Sequence, residues 1–228
     1  MRVLIFGATG MIGQGALREC LDDPGIGSVI AIGRGPSGTS HPKLTDLVHG
    51  DLWNYATIED RLTGIDACLF CLGTTSVGMD EKGYARITHD LTLAAAETLA
   101  RLNPGMTFVY VSAAGTDSTE QGSRMWARVR GRTENDLFRL PIKTFVVRPL
   151  AVQPLGGIRS RTPAYQVLYT LLAPLAPLLR RLFPAYVTTT QEIGRAMIAL
   201  ARHGSSKRIL ENRDFAAAAA GWAKPSAA

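Results

Sequence analysis

Three glycines set the chemistry of the amino terminus. Gly7, Gly10 and Gly13 punctuate Gly7-Ala8-Thr9-Gly10-Met11-Ile12-Gly13, after the apolar run Val3–Phe6 and before an amphipathic stretch ending near Cys20-Leu21. A buried strand, a glycine turn and a helix, in that order, make a receptor for a pyrophosphate. Gly7 permits the tight turn, Gly10 lets phosphate oxygens approach the backbone, and Gly13 lets helix and strand pack closely. The helix start then offers free N–H groups and a partial positive charge to the anion. Thr9, Met11 and Ile12 belong to the same turn and are expected to line it.

A second residue bears on what the pyrophosphate is attached to. Ser28–Ile32 reads as the next strand and closes on Gly33-Arg34-Gly35-Pro36. In folds that bind dinucleotides, the residue at this strand's end meets the adenosine ribose. An acid there binds the 2′-hydroxyl of NAD, whereas an Arg suits the 2′-phosphate of NADP. After Arg34 no acid occurs before Asp46, so NADP is expected over NAD. Further on, a short strand Leu47–His49 leads into Gly50-Asp51-Leu52. Asp51 could accept a bond from an adenine amino group or cap a helix beginning near Trp53; both roles stay open. A strand over Ala67–Leu72 ends in Gly73-Thr74-Thr75. Small residues there let ribose and phosphate lie along Cys71, Leu72, Gly73 and Thr74.

These residues must be held by alternating strands and helices. A helix over Tyr84–Leu102 stops at Asn103-Pro104-Gly105, a fifth strand follows at Thr107–Val111, and a helix over about 123–140 precedes a sixth strand at Lys143–Arg148. Strict alternation implies a doubly wound α/β fold, a parallel sheet of order 3-2-1-4-5-6 with right-handed crossovers and helices on both faces. The expected division is a dinucleotide-binding core over 1–149, a small and mostly helical substrate or lid segment over 150–215 packed on it, and a tail over 216–228. Within that segment, Pro154-Leu155-Gly156-Gly157 reads as an irregular loop. Ala164–Phe183 is strongly apolar, and its interior Pro174 and Pro177 argue against a membrane span. A lid, a substrate-side helix or a dimer surface is expected there. Thr188-Thr189-Thr190-Gln191-Glu192 looks like a capping box opening a helix to about His203, and Arg208–Leu210 could add an extra strand.

A chain of 228 residues holds one full α/β domain with a modest extra lobe. Its net charge of +6 comes from scattered basic residues, 20 of the 25 being Arg, and no aromatic-and-basic stripe accompanies them, so no nucleic-acid partner is expected. Cys68 and Cys71 match a CxxC spacing. On a strand, however, residues three apart point to opposite faces, with Cα atoms about 10 Å apart, so core packing is expected and no metal or disulfide site. The early first strand and three cysteines lead to an expectation of no signal peptide, a reducing compartment and a cytoplasmic setting.

The glycine turn, Asp51, Cys71-Leu72-Gly73-Thr74, Ser112 and the helix after it, taken in order over about residues 1–200, resemble the extended and atypical short-chain dehydrogenase/reductases. The likeness is greatest to their short, epimerase-like NAD(P)-binding branch. The resemblance implies a Rossmann fold and a cofactor lying across the carboxyl ends of strands one, two and four. It implies oxidoreductase or epimerase-type chemistry on a small molecule, and a homodimer through helix faces is a common arrangement. Family chemistry uses a Ser after the fifth strand, a Tyr that handles the proton, and a Lys four residues later that holds the nicotinamide ribose. Ser112 matches the first, although the family's two adjacent serines read here as Ser112-Ala113. Trp126 stands at the Tyr position and Arg130 at the Lys position, and no Tyr-x-x-x-Lys occurs. An indole N–H only donates, and a guanidinium stays protonated, so neither can relay a proton. Hydride chemistry would then draw its proton from elsewhere, with Tyr84, Tyr165, His89, Thr116 or water as sources. The competing expectation is an inactive cofactor-binding or redox-sensing module with a protein partner.

Overall fold

The computed structural model describes residues 1–155, 157–158 and 186–221. Its main sheet is built from β1 (Arg2–Phe6), β2 (Ser28–Gly33), β3 (Leu44–Val48), β4 (Ala67–Phe70), β5 (Thr107–Val111), β6 (Lys143–Arg148) and β9 (Ile209–Glu211). The strand order is β3-β2-β1-β4-β5-β6-β9, all neighbours parallel. The fold is thus the doubly wound Rossmann-like sheet, with the extra strand added beyond β6.

Alternation along the strands makes two cores. Val3, Ile5, Leu69, Val109 and Val147 face one layer, packed under α1 (Met11–Asp22) and α5 (Thr190–His203). Leu4, Phe6, Cys68, Phe70, Phe108 and Tyr110 face the other, under α3 (Leu91–Leu102) and the end of α4 (Met125–Leu137). On this second face Phe6, Phe70 and Phe108 form a row, with ring centroids 4.9 and 5.6 Å apart. Cys68 lies in this layer while Cys71 packs against the other, so the two thiols are on opposite faces and all three cysteines are free. α1 and α5 approach closely because both carry a glycine at the crossing. A Cβ on Gly15 would stand 2.7 Å from Thr190, and one on Gly194 3.2 Å from the Ala16 backbone. Glu19 and Arg195, 2.7 Å apart, tie the same pair of helices.

Several boundaries differ from the sequence expectation. β3 begins three residues earlier, at Leu44, and ends at Val48. It is an edge strand on which only Leu47 is buried, so its apolar signal is weak. β4 ends at Phe70, because the chain at Cys71-Leu72 turns against Gly7. No helix starts at Trp53; a 3-10 helix runs over Ala56–Leu62 instead. The long helix over 84–102 is three pieces: α2 (Glu81–Ala85), a π-helical turn Arg86–Asp90, and α3. The capping box forms with Thr189 as N-cap: its hydroxyl accepts from the Glu192 N–H at 3.0 Å, and the Glu192 carboxylate accepts from the Thr189 N–H at 3.1 Å. A small parallel pair, β7 (Ala151–Gln153) with β8 (Val187–Thr189), stands beyond β6 where only loop was expected. α6 (Phe215–Ala220) follows β9, with Phe215 fully buried in the α5 layer. The expected apolar segment 164–183 lies outside the described residues.

Candidate functional site

At the carboxyl ends of β1, β2 and β4 a cleft of about 510 Å³ opens. Its floor is the glycine turn. Gly7 has a φ of +74°, and a Cβ there would stand 2.8 Å from the Cys71 carbonyl and the Leu72 nitrogen. A Cβ on Gly13 would stand 2.0 Å from the Gly7 carbonyl oxygen, so helix and strand meet at the distance that only glycine allows. The Gly10 N–H donates to the Gly7 carbonyl at 2.9 Å, and Gly10 is the N-cap of α1 without any side-chain cap. No acid stands in the first turn of α1, so the helix start is left open to an anion. Met11 and Ile12 turn their side chains toward the α1 layer rather than the cleft.

Thr9, Arg34, Leu52, Cys71, Leu72 and Gly73 line this cleft with Gly7 and Gly10, whereas Gly13, Asp51, Thr74 and Arg130, expected at the same cofactor, are not among its lining residues. Gly35, Pro36 and Ser37 line it too, which the sequence reading did not single out. Arg34 is exposed on the rim, and no carboxylate is among the lining residues. The nearby acid, Asp46, accepts from the Ser37 N–H at 3.1 Å and so holds the loop that carries Arg34. Asp51 is exposed, and its carboxylate accepts from the Trp53 N–H at 3.0 Å. It therefore closes a local turn and caps no helix, since the 3-10 helix starts only at Ala56. Cys71 is half-buried, and burial pushes its thiol up to about 12, which leaves it protonated and inert at neutral pH.

A second group gathers beside Gly73, at the ends of β4 and β5. Arg130, on the second turn of α4, donates from Nε to the Tyr84 hydroxyl at 3.0 Å and reaches toward the Val111 carbonyl at 3.5 Å. One of its terminal nitrogens lies 3.9 Å from where a Cβ on Gly73 would stand. Burial disfavours its charge, but Tyr110, Tyr84 and Glu134 more than offset this, so the guanidinium stays a cation. Tyr84 is 1% exposed, carried on α2. Ser112 is buried, and its hydroxyl shares a 3.1 Å hydrogen bond with Thr116, which donates onward to the Ala113 carbonyl at 2.8 Å. Trp126 stands one turn before Arg130 and packs its ring on Gly115, where an added Cβ would be 3.4 Å away. His89 is not in the cleft: both ring nitrogens are engaged by Asp90 and Asp136 at 2.8 Å. Tyr165 lies outside the described residues.

Sequence reasoning missed the support beneath this second group. Glu134, fully buried on α4, receives two bonds from Arg148, at 3.1 and 2.5 Å, and Arg148 also reaches Ser118 and Glu211. Burial works against the Arg148 charge, and Glu134 and Glu211 outweigh it. α4 is drawn so close to the 117–118 backbone that a Cβ on Gly131 would stand 1.8 Å from the Asp117 carbonyl oxygen. A charged pair whose members stand fourteen positions apart leaves no local pattern to read. Among the described residues there is no cluster of side chains able to hold a metal ion, and no helix is long and apolar enough to cross a membrane.

Comparison with known proteins agrees with this geometry and corrects one expectation. The chain is 23% identical over 204 residues to "Protein FMP52, mitochondrial" of Meyerozyma guilliermondii, covering 87% of this chain and 84% of that one. It is 28% identical over 217 residues to the protein of the same name from Saccharomyces cerevisiae, covering 91% and 90%. Both names say mitochondrial, and the cytoplasmic setting expected from the sequence is overturned by them. The early first strand and free thiols that suggested it are equally compatible with another reducing compartment. Among solved structures, an oxidoreductase of the short-chain dehydrogenase/reductase family from Burkholderia thailandensis superposes with a TM-score of 0.67 at 18% identity, covering 95% of this chain and 92% of that one. That likeness shows the fold. A family model described as NAD(P)H-binding matches residues 7–137, from the first glycine of the turn to the last residue of α4, and the chain belongs to that NAD(P)H-binding family as an atypical member with the short-chain dehydrogenase/reductase fold.

Proposed function

We propose that the protein binds NADP(H) and acts on a small molecule as an oxidoreductase or epimerase-type enzyme with a non-standard active site. The observation that carries the nucleotide choice is the rim of the cleft, where Arg34 stands among lining residues that include no carboxylate. A 2′-phosphate would meet a guanidinium there, whereas a bare 2′-hydroxyl would find no acid to bind it. The bare N-cap of α1 and the Cβ-free floor at Gly7 and Gly10 fit a pyrophosphate, with Thr9 at its side. Leu52 and Asp51 stand at the adenine end. Leu72, Gly73 and Thr74 lead toward the nicotinamide end, where Arg130 would hold ribose hydroxyls. When bound, the nicotinamide supplies or accepts a hydride. This chain's own residues orient the reacting partner: Ser112 as a hydrogen-bond donor, Trp126 as a ring wall with a single N–H donor, and Arg130 as a fixed positive charge. The core over 1–149 would hold the nucleotide and the segment over 150–215 would complete the substrate side.

Arg34→Ala tests the assignment. NADPH affinity should fall about tenfold to a hundredfold, as for loss of a charge-assisted contact, with little change for NADH. Equal losses for the two nucleotides would remove the NADP assignment. A second reading, favoured by Trp126 in the proton handler's place, is a module that holds NADP(H) without turning it over and changes a protein contact with cofactor state. NADPH oxidation across ketones, aldehydes, quinones and sugar nucleotides separates the two. Turnover of any class supports the enzyme, and a flat panel with intact NADPH binding supports the module.

A further inference from the structure

We propose that Tyr84 is a positioning residue for the nicotinamide half of the site, acting through Arg130; this rests on the NADP(H) reading above. Arg130 is a long, flexible side chain, and a ribose contact demands that it be fixed before the ligand arrives. The Tyr84 hydroxyl supplies that fixation by accepting from Nε at 3.0 Å. The terminal nitrogen beside it, Nη2, lies 3.9 Å from where a Cβ on Gly73 would be, and has no hydrogen-bond partner among the described residues. Tyr84 itself is 1% exposed, so its hydroxyl does not serve solvent, and a phenylalanine would fill the same volume.

The element that carries Tyr84 is aimed for this contact. α2 is a single capped turn, with the Asp80 carboxylate accepting from the Gly83 N–H at 2.8 Å, and the π-helical turn Arg86–Asp90 separates it from α3. A π turn alters the rotation of the residues before it relative to those after it, and such turns gather at functional sites. A second bridge holds α2 on α4: Arg128 donates to both Glu81 carboxylate oxygens, at 3.3 and 2.6 Å. Two arginines of α4, two residues apart, thus grip one short element, and the inner one is the residue at the ribose-holding position.

The test separates the two halves of the nucleotide. Fluorescence and calorimetric titrations with NADPH and with adenosine 2′,5′-bisphosphate, which lacks the nicotinamide half, would be run on the wild type, Tyr84→Phe, Arg130→Ala and the double variant. Tyr84→Phe should weaken NADPH by about fivefold, leave the bisphosphate within about twofold, and add nothing once Arg130 is alanine. Additive losses in the double variant, equal losses for both ligands, or wild-type NADPH affinity in Tyr84→Phe would each overturn the proposal. A wild type that binds neither ligand would overturn the underlying reading as well, and is distinguished by the wild-type titration alone. Should Tyr84→Phe fail to fold, Arg130→Lys, which keeps the charge but loses the Nε–H, must show the same selective loss of NADPH for the proposal to stand.

Discussion

The two ends of the proposed nucleotide site are made of different material. At the cleft end the surface is backbone: glycine turn, uncapped helix start and the Gly33–Ser37 loop, with Arg34 as its main charged side chain. At the other end, beyond Gly73, side chains take over: Tyr84, Ser112, Thr116, Trp126 and Arg130, largely buried and each held by another side chain or by packing. A backbone site is fixed by residues that have no choice of rotamer, and it changes only when a glycine is lost. A side-chain site can be rebuilt one residue at a time on an unchanged scaffold. Under the proposed reading that is the pattern here, with the glycine turn intact and Trp126 and Arg130 standing where the family resemblance places its Tyr and Lys.

Breaking the backbone end should have the larger effect. Gly13→Ala puts a Cβ 2.0 Å from the Gly7 carbonyl oxygen, with backbone on both sides and nothing flexible to yield. We expect a loss of about 3 kcal/mol or more in chemical denaturation and no measurable nucleotide binding. Binding that survives would mean the turn can open, and the contrast between the two ends would weaken. At the other end, Glu134→Ala strands the Arg148 guanidinium, which is 8% exposed, with Glu211 and Ser118 as its remaining partners. A cost of about 3 kcal/mol is expected, while adenosine 2′,5′-bisphosphate binding should persist in the folded fraction.

Alkali probes both ends at once. Burial pushes the Cys71 thiol, in the cleft wall, from 9.0 up to about 12. Burial also raises the Tyr110 phenol, beneath Arg130, from 10.0 to about 12, although the Arg130 charge opposes this. Both groups are neutral when protonated and ionise more readily once unfolded. Their folded-state values lie above the unfolded ones, so stability is intact below about pH 9 and falls as pH rises toward 12. Each group contributes a slope of about 1.4 kcal/mol per pH unit within its own window. Burial raises the Cys20 and Cys68 thiols as well, so Cys71→Ser should make the fall above pH 9 shallower without moving its onset, and Tyr110→Phe should flatten the steeper part above about pH 10. Denaturation midpoints between pH 8 and 11.5, compared with the wild type, would show whether each variant removes its own share of the slope.

The same contrast decides what the sequence made legible. Backbone features announce themselves through glycines at fixed spacing and through apolar runs, so the turn, the strand order and the capping box at Thr189–Glu192 could all be read in advance. Edge strand β3 could not be placed accurately, because a strand with one buried residue has little periodicity. The β7–β8 pair escaped because strands of three residues with 33 residues between them carry no local signal. The Tyr84–Arg130 and Glu134–Arg148 contacts escaped for a related reason: each joins residues far apart in the chain, and only the folded sheet brings them together. Localisation was misread because an early strand and reduced cysteines do not distinguish one reducing compartment from another.

The smallest expected effect concerns Ser112, and it sharpens the comparison most directly. Its hydroxyl already has a partner, Thr116 at 3.1 Å, and the residue is 4% exposed. If that bond is its whole role, Ser112→Ala should cost about 1 kcal/mol of stability and leave NADPH affinity unchanged, because Thr116 keeps its bond to the Ala113 carbonyl. If Ser112 also donates to a bound substrate, the stability cost is the same, because the Thr116 bond is lost either way. Turnover of whichever substrate class is active would then drop at least about tenfold, since a hydroxyl that orients the reacting carbonyl acts in the transition state. Thr116→Val distinguishes these cases further. It frees the Ser112 hydroxyl, so it should raise turnover if the serine is a substrate donor held in reserve, and only destabilise the β5 loop if it is not.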